Sequence, residues 1–170
     1  MTDLKCITCS QGYLHALRDY VIRELIDYFN IDVAIYDVDA ILEVGTKFSG
    51  IFEWKMKKQH YSQYFLQSFE YVALKKLGKC MRTTPYFVNQ ILPDEIELII
   101  ESSNNPARDI YINSEFAVFE VNRFETKDDR EFLRNKGVHY AVFDEREGRV
   151  MGFKEFRSWF GKLIMRNGGD

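Results

Sequence analysis

No run of apolar residues in this chain approaches the roughly 18 that a helix needs to cross a bilayer, so a helical membrane protein is not expected. Cysteine is scarce. Cys6, Cys9 and Cys80 cannot all pair with one another, and the opening Met1-Thr2-Asp3-Leu4-Lys5-Cys6 has no apolar stretch of a secretory leader. Both features point to a reducing compartment, cytoplasmic or, for a viral chain, inside the host cell. The single Cys6-Ile7-Thr8-Cys9 pair has no second pair to complete a zinc site. The three histidines, His15, His60 and His139, are scattered, and His60 beside Lys57 and Lys58 reads as a surface residue. There is no Gly-x-x-x-x-Gly-Lys loop, no Gly-rich dinucleotide turn and no nucleophile elbow, which removes the commonest nucleotide-binding and serine-hydrolase readings. Repeats and low-complexity linkers are also missing, so the 170 residues are expected to form one domain, large enough to bury a core.

With 46% apolar and 29% charged residues the chain has an ordinary globular composition, and 15% aromatics predict a core rich in Phe and Tyr. The net charge of -3 is low for a dedicated nucleic-acid binder, but the charge is unevenly placed. Between Lys55 and Arg82 stand seven Lys or Arg against one acid, Glu70, a local balance of +6. A patch of that kind engages phosphates whatever the total charge. A solvated helix face is the plainer account of the same residues.

Periodicity predicts a mixed α/β domain. Ser10 caps a helix over 11–29 whose stripe is Leu14, Leu17, Val21, Leu25 and Tyr28. Strands are expected over 32–44 and 50–57, joined as a hairpin by a turn bracketed by Gly45 and Gly50. A long helix over 61–77 follows, ended by Gly78, with Leu66, Phe69, Ala73 and Leu77 facing the core. Further strands are expected over 85–92, 95–101, 111–122 and 138–144. A short helix is expected over 127–135 and a last one over 152–165, which packs on the sheet or serves as a dimer face.

The segment that carries chemistry runs from Asp37-Val38-Asp39 to Phe52-Glu53-Trp54-Lys55. Side chains alternate along a strand, so Glu53 and Lys55 share one face while Phe52, Trp54 and Met56 turn to a core. A hairpin brings Asp39 beside Glu53. Two carboxylates at one point repel, and a hard divalent cation such as Mg2+ or Mn2+ relieves the repulsion, with the Trp54 carbonyl as a further oxygen ligand. The ion acidifies a bound water and stabilises charge on a phosphodiester, and Lys55 orients that water or neutralises the developing charge. A charged outer face on an amphipathic hairpin is the bland reading of Glu-x-Lys alone. Glu24 lies at the apolar border of the first helix, and Gln67 and Tyr71, four apart, share a helix face. Gln67 can reach a phosphate or a metal-bound water and Tyr71 a sugar-phosphate backbone.

The order of a helix Glu, a strand Asp, a strand Glu-x-Lys and a helix Gln-x-x-x-Tyr resembles the RecB-like branch of the PD-(D/E)xK nucleases over residues 11–77. The resemblance implies a restriction-endonuclease-like core, with a central mixed sheet flanked by helices. It implies that Asp39 and Glu53 hold metal, that Lys55 is the catalytic lysine, that Glu24 is an accessory acid and that Gln67 and Tyr71 are the family pair. The family's Gly shortly before the Asp is replaced by Tyr36 and Asp37, which leaves the choice between Asp37 and Asp39 open. Three cysteines do not make the four-cysteine iron–sulfur cluster of some relatives. The implied activity is Mg2+- or Mn2+-dependent hydrolysis of DNA, with RNA as a further substrate class, in repair or recombination. Lys57, Lys58, Lys75, Lys76 and Lys79 would hold the backbone. Gln67 and Tyr71 favour an exonuclease over a structure-selective endonuclease of the Holliday-junction-resolvase or restriction type. A non-catalytic nucleic-acid-binding or assembly module on the same fold is the reading from another class, and a homodimer or larger assembly stays open for the chain.

Overall fold

The computed structural model of the chain describes residues 17, 20–25, 27, 28, 33–36, 40–44, 47–121 and 132–168. Residues 20–25, 27 and 28 belong to the first helix, α1. Then come β1 (Val33–Tyr36), β2 (Ala40–Val44), β3 (Lys47–Lys57), β4 (Gln63–Gln67), α2 (Ser68–Met81), β5 (Pro85–Ile91), α3 (Ile96–Ser102), α4 (Pro106–Asn113), β6 (Glu115–Glu120), β7 (Phe132–Asn135), β8 (Val138–Asp144), β9 (Arg149–Gly152) and α5 (Phe153–Gly168).

Six strands form a central mixed sheet in the order β1-β2-β3-β5-β6-β9. Only the β3–β5 pair is parallel; the other neighbours run antiparallel. A parallel pair needs a crossover, and β4 with α2 supplies it. β4 does not join the central sheet. It pairs with β8, and β8 with β7, in a small antiparallel sheet.

Strand alternation then sorts the core into two layers, one on each side of the central sheet. Ala40, Leu42, Phe52, Trp54, Tyr86, Val88, Phe116 and Val118 face α1, α4 and α5, where they meet Val21, Leu25, Tyr111, Phe156 and Phe160. The rings of Phe116 and Phe156 stack with centroids 4.0 Å apart, which ties α5 to the sheet. Ile41, Ile51, Phe87, Ile91, Ala117 and Phe119 face the other way, toward β4, β8 and α2, where Tyr64, Leu66, Tyr71, Leu74, Ala141 and Phe143 close the second layer. The described residues thus form a mixed α/β fold, as the periodicity predicts, with the central mixed sheet flanked by helices that the resemblance implies.

Several local expectations change. The single strand over 32–44 is two strands, because β1 turns back antiparallel on β2. Residues 45 and 46 lie outside the described residues, but Gly50 is inside β3 and not in a turn. A Cβ there would fall 2.7 Å from the ring of Phe52, so the close approach of that ring requires glycine. The helix over 61–77 is a strand followed by a helix that starts later and runs past Gly78 to Met81. Its phase is also rotated. Tyr71, Leu74 and Gly78 are buried, whereas Phe69 is 66% exposed and Ala73 is exposed. Residues 96–102, Ile-Glu-Leu-Ile-Ile-Glu-Ser, are α3 and not a strand, and 106–113 form α4 ahead of β6. Residues 132–135, expected in a helix, are β7. Short apolar runs fit either period, and in these cases pairing partners decided. Tyr28 departs from the α1 stripe and is exposed, with Arg157 stacked over its ring at 3.9 Å.

Candidate active site

Glu53 and Lys55 are consecutive residues on one face of β3, and that face looks into the second layer. Glu53 is only 6% exposed. A carboxylate so buried requires a charge partner. Lys55 supplies it through a close ion pair. The same ammonium reaches Glu70 Oε1 at 2.9 Å. Glu70 stands in the first turn of α2, where its other oxygen accepts a hydrogen bond from the Gln67 backbone N–H at 3.2 Å and so closes the helix start. One cation therefore sits between two carboxylates from different elements.

Burial by itself would push the Lys55 ammonium down, but the hydrogen bonds and charges of Glu53 and Glu70 more than offset it, and the net shift is upward. Lys55 stays charged throughout the neutral range. Two residues on, burial and the Lys55 charge both push Lys57 down.

The backbone of β3 is used unevenly. Pairing with β2 extends from Lys47 to Phe52, where Ala40 lies opposite Phe52, whereas pairing with β5 continues to Lys57. The Ile51 N–H donates to Thr84 O at 3.4 Å and Lys57 O accepts from the Leu92 N–H at 2.8 Å, so alternate residues from Ile51 to Lys57 turn their backbone groups to the β5 side. By the same alternation the Trp54 carbonyl points to the β2 side, two residues beyond Phe52, the partner of Ala40. The Trp54 indole is turned into the first layer, and its N–H donates to Gln90 Oε1 at 3.4 Å.

Asp37 and Asp39 lie outside the described residues. Asp39 is nevertheless bonded to Ala40, whose cross-strand partner Phe52 is bonded to Glu53. Cys6 and Cys9 also lie outside the described residues, and Cys80 is an exposed thiol. Glu24 does not join Glu53. It is exposed on α1, a helix that packs on the first layer, across the sheet from Lys55. Its charge is felt instead by Tyr20 and Tyr111. Burial, reinforced by that charge, pushes both hydroxyls up to about 12.

The helix pair separates as well. Gln67 is the last residue of β4, paired with Tyr140, and it caps α2. Tyr71 is 0% exposed, its ring edge-on to Phe132 and Phe143, so it is a core residue and cannot lie along a sugar-phosphate backbone. The correction follows from the later helix start, which turns Tyr71 inward. Of the lysines, Lys58, Lys76 and Lys79 are exposed, Lys57 and Lys75 are half-buried, and the Lys75 ammonium lies 5.5 Å from the Tyr71 ring centroid.

Two polar residues of this region were missed in the sequence. Glu70 carried a signal, an acid three residues after a helix start. Asn89 carried a weaker one, a polar residue inside the buried run Tyr86-Phe87-Val88-Asn89-Gln90-Ile91.

Among the described residues no group of three or more His, Cys, Asp or Glu is placed to hold a metal ion. The donors that do converge, Glu53 and Glu70 on Lys55, are hard oxygens, as is the Trp54 carbonyl. Such a set suits Mg2+ or Mn2+ better than a softer ion.

No protein-family model and no curated protein matches the chain. Among solved structures it is similar to Hjc of Archaeoglobus fulgidus, a Holliday junction resolvase from an archaeal hyperthermophile, with a TM-score of 0.42 and 13% identity over 82% of this chain and 94% of that one.

Proposed function

We propose that this chain is a metal-dependent nuclease of the PD-(D/E)xK type with a restriction-endonuclease-like core, hydrolysing DNA phosphodiesters through Asp39, Glu53 and Lys55. The observation that carries the reading is the buried Glu53 paired with the half-buried Lys55, one residue past the Ala40–Phe52 pair of β2 and β3. A buried carboxylate held by a half-buried lysine is costly for a fold that needs only apolar contacts there. Glu53 with Asp39, and the Trp54 carbonyl on the β2 side, are the groups that would hold Mg2+ or Mn2+. A bound ion would supply Lewis acidity toward the phosphodiester and lower the pKa of its water. Lys55, beside Glu53 and Glu70, acts as a charge and hydrogen-bond donor toward the scissile phosphate or the attacking water. Lys57, Lys58, Lys75, Lys76 and Lys79 lie on β3, just after it and on α2, where they would hold the substrate backbone.

Burial of Tyr71 removes the residue-level reason for an exonuclease. The structure-selective endonuclease reading is therefore preferred, in repair or recombination, with a homodimer as the assembly that two symmetric cuts would need. The test is cleavage of linear, circular and branched DNA, with and without Mg2+, by the wild type and by Glu53→Gln. Cuts that require both Mg2+ and Glu53, and that appear in circular or branched substrates, support the reading. Equal cleavage by Glu53→Gln refutes the site, and specific DNA binding without cleavage under any divalent ion points to a binding module.

A further inference from the structure

Asn89 is fully buried, and among the described residues neither its Oδ1 nor its Nδ2 has a hydrogen-bond partner. Its neighbour Gln90 is the opposite case. Gln90 turns to the first layer, accepts from Trp54 and donates to Ser114 Oγ at 3.0 Å. One strand thus carries a satisfied amide on one face and an orphaned one on the other. Buried side-chain amides without partners are rare in native proteins, and each asks for a reason.

Position supplies the reason. Phe87 and Ile91 belong to the second layer, so Asn89 between them faces the same side as Glu53 and Lys55. In the β3–β5 register its partner is Lys55 itself. On the other flank stands Ala117, the smallest side chain that could cover it. Lys55 has three N–H donors, and its contacts run to two carboxylates.

We propose that Asn89 is a positioning residue for Lys55, its Oδ1 accepting an N–H of the ammonium once Glu53 is drawn onto a divalent cation. This rests on the nuclease reading. Without a replacement acceptor, Lys55 would swing toward Glu70 as Glu53 turns away, and would leave the position from which it meets the phosphate. Asn89 is too buried to touch substrate, so its effect passes through Lys55 alone.

The test uses the full chain with Asn89→Leu, which keeps the volume and removes the acceptor, and Asn89→Asp, which keeps an oxygen acceptor. Asn89→Leu is expected to fold with an unchanged or higher melting temperature, since it replaces an orphaned polar group by an apolar one. It should bind Mn2+ as the wild type does and lose about 10- to 100-fold in kcat with KM unchanged. Asn89→Asp should recover kcat to within about threefold, whereas a residue needed only for packing would suffer most from a buried charge. The second readout is the Lys55 15N resonance, followed as Ca2+ is added. It should move differently in Asn89→Leu and wild type, and alike in Asn89→Asp and wild type. Wild-type kcat and an unchanged Lys55 response in Asn89→Leu overturn the proposal, as does loss of folding in both variants. A wild type that neither binds Mg2+ nor cleaves DNA overturns the nuclease reading itself, an outcome distinct from either.

Discussion

Tyr71 and Phe69 stand two residues apart on α2 and give opposite responses to the same change. Tyr71 is wholly enclosed against Phe132 and Phe143, while Phe69 is 66% exposed. A buried aromatic withdraws roughly 150–250 Å2 from water. At about 25 cal/mol per Å2 that is worth some 4–6 kcal/mol as an upper bound. Measured truncations of buried aromatics to Ala cost about 3–5 kcal/mol, because the cavity collapses only in part. Tyr71→Ala should therefore lose about 3–5 kcal/mol in urea unfolding. In a chain of 170 residues that corresponds to a melting temperature lower by about 6–20 °C. Phe69→Ala should stay within about 0.5 kcal/mol, as exposed substitutions do. Tyr71→Phe, which keeps the ring, isolates the hydroxyl and should cost less than about 1.5 kcal/mol. The reasoning fails if Tyr71→Ala is nearly neutral while Phe69→Ala costs 2 kcal/mol or more (~), because the helix would then present its other side to the core.

Alkaline pH should weaken the fold. Tyr20 and Tyr111 have folded pKa values raised to about 12, so each favours the folded state while protonated; that contribution is complete below about pH 10 and is lost as pH climbs toward 12, and Lys55, also raised, acts in the same direction. Denaturant titrations at rising pH should show this decline, with Tyr111→Phe reducing it. Gly148→Ala should cost about 1–3 kcal/mol, because the new Cβ would fall 2.5 Å from Phe119, whose ring is packed against Tyr64, Phe87 and Phe143; a melting temperature equal to wild type would contradict this. Replacing Lys75, Lys76 and Lys79 by Gln should weaken DNA binding alike for different sequences. The log–log salt slope should fall by about 3, and an unchanged slope would remove α2 from the substrate path.

The parts legible in the sequence were those where one signal acted alone. Alternation in Phe52-Glu53-Trp54-Lys55 predicts which residues turn inward, and the structure agrees, with Phe52 and Trp54 in one layer and Glu53 in the other. Leu17, Val21 and Leu25 are buried along α1 as their spacing requires. Errors arose where two signals competed. Gln63-Tyr64-Phe65-Leu66-Gln67 suits a strand as well as a helix, and β8 across from it decided the matter. A helix that begins at residue 61 would turn Tyr71 outward, whereas α2 begins at Ser68 and turns it inward. Residues 96–102 were ambiguous for the same reason. The Lys55–Glu70 contact joins residues 15 apart through tertiary packing, which no local pattern encodes.

The chain's two tryptophans both belong to the α5 side of the sheet: Trp54 is buried in that core, and Trp159 packs against it with its ring edge-on to Tyr86. The other layer contains no indole and is marked by Tyr64 and Tyr71. Emission excited selectively in tryptophan is therefore a reporter of one half of the interior, whereas tyrosine absorbance reports both, because Tyr86 and Tyr111 lie in the first layer and Tyr64 and Tyr71 in the second. Should the small sheet with α2 come apart before the α5 layer does, the two optical signals would give unfolding curves with different midpoints, and a single cooperative transition would superimpose them. The backbone of Trp54 also joins the two residues of the proposed site while its ring lies across the sheet from them.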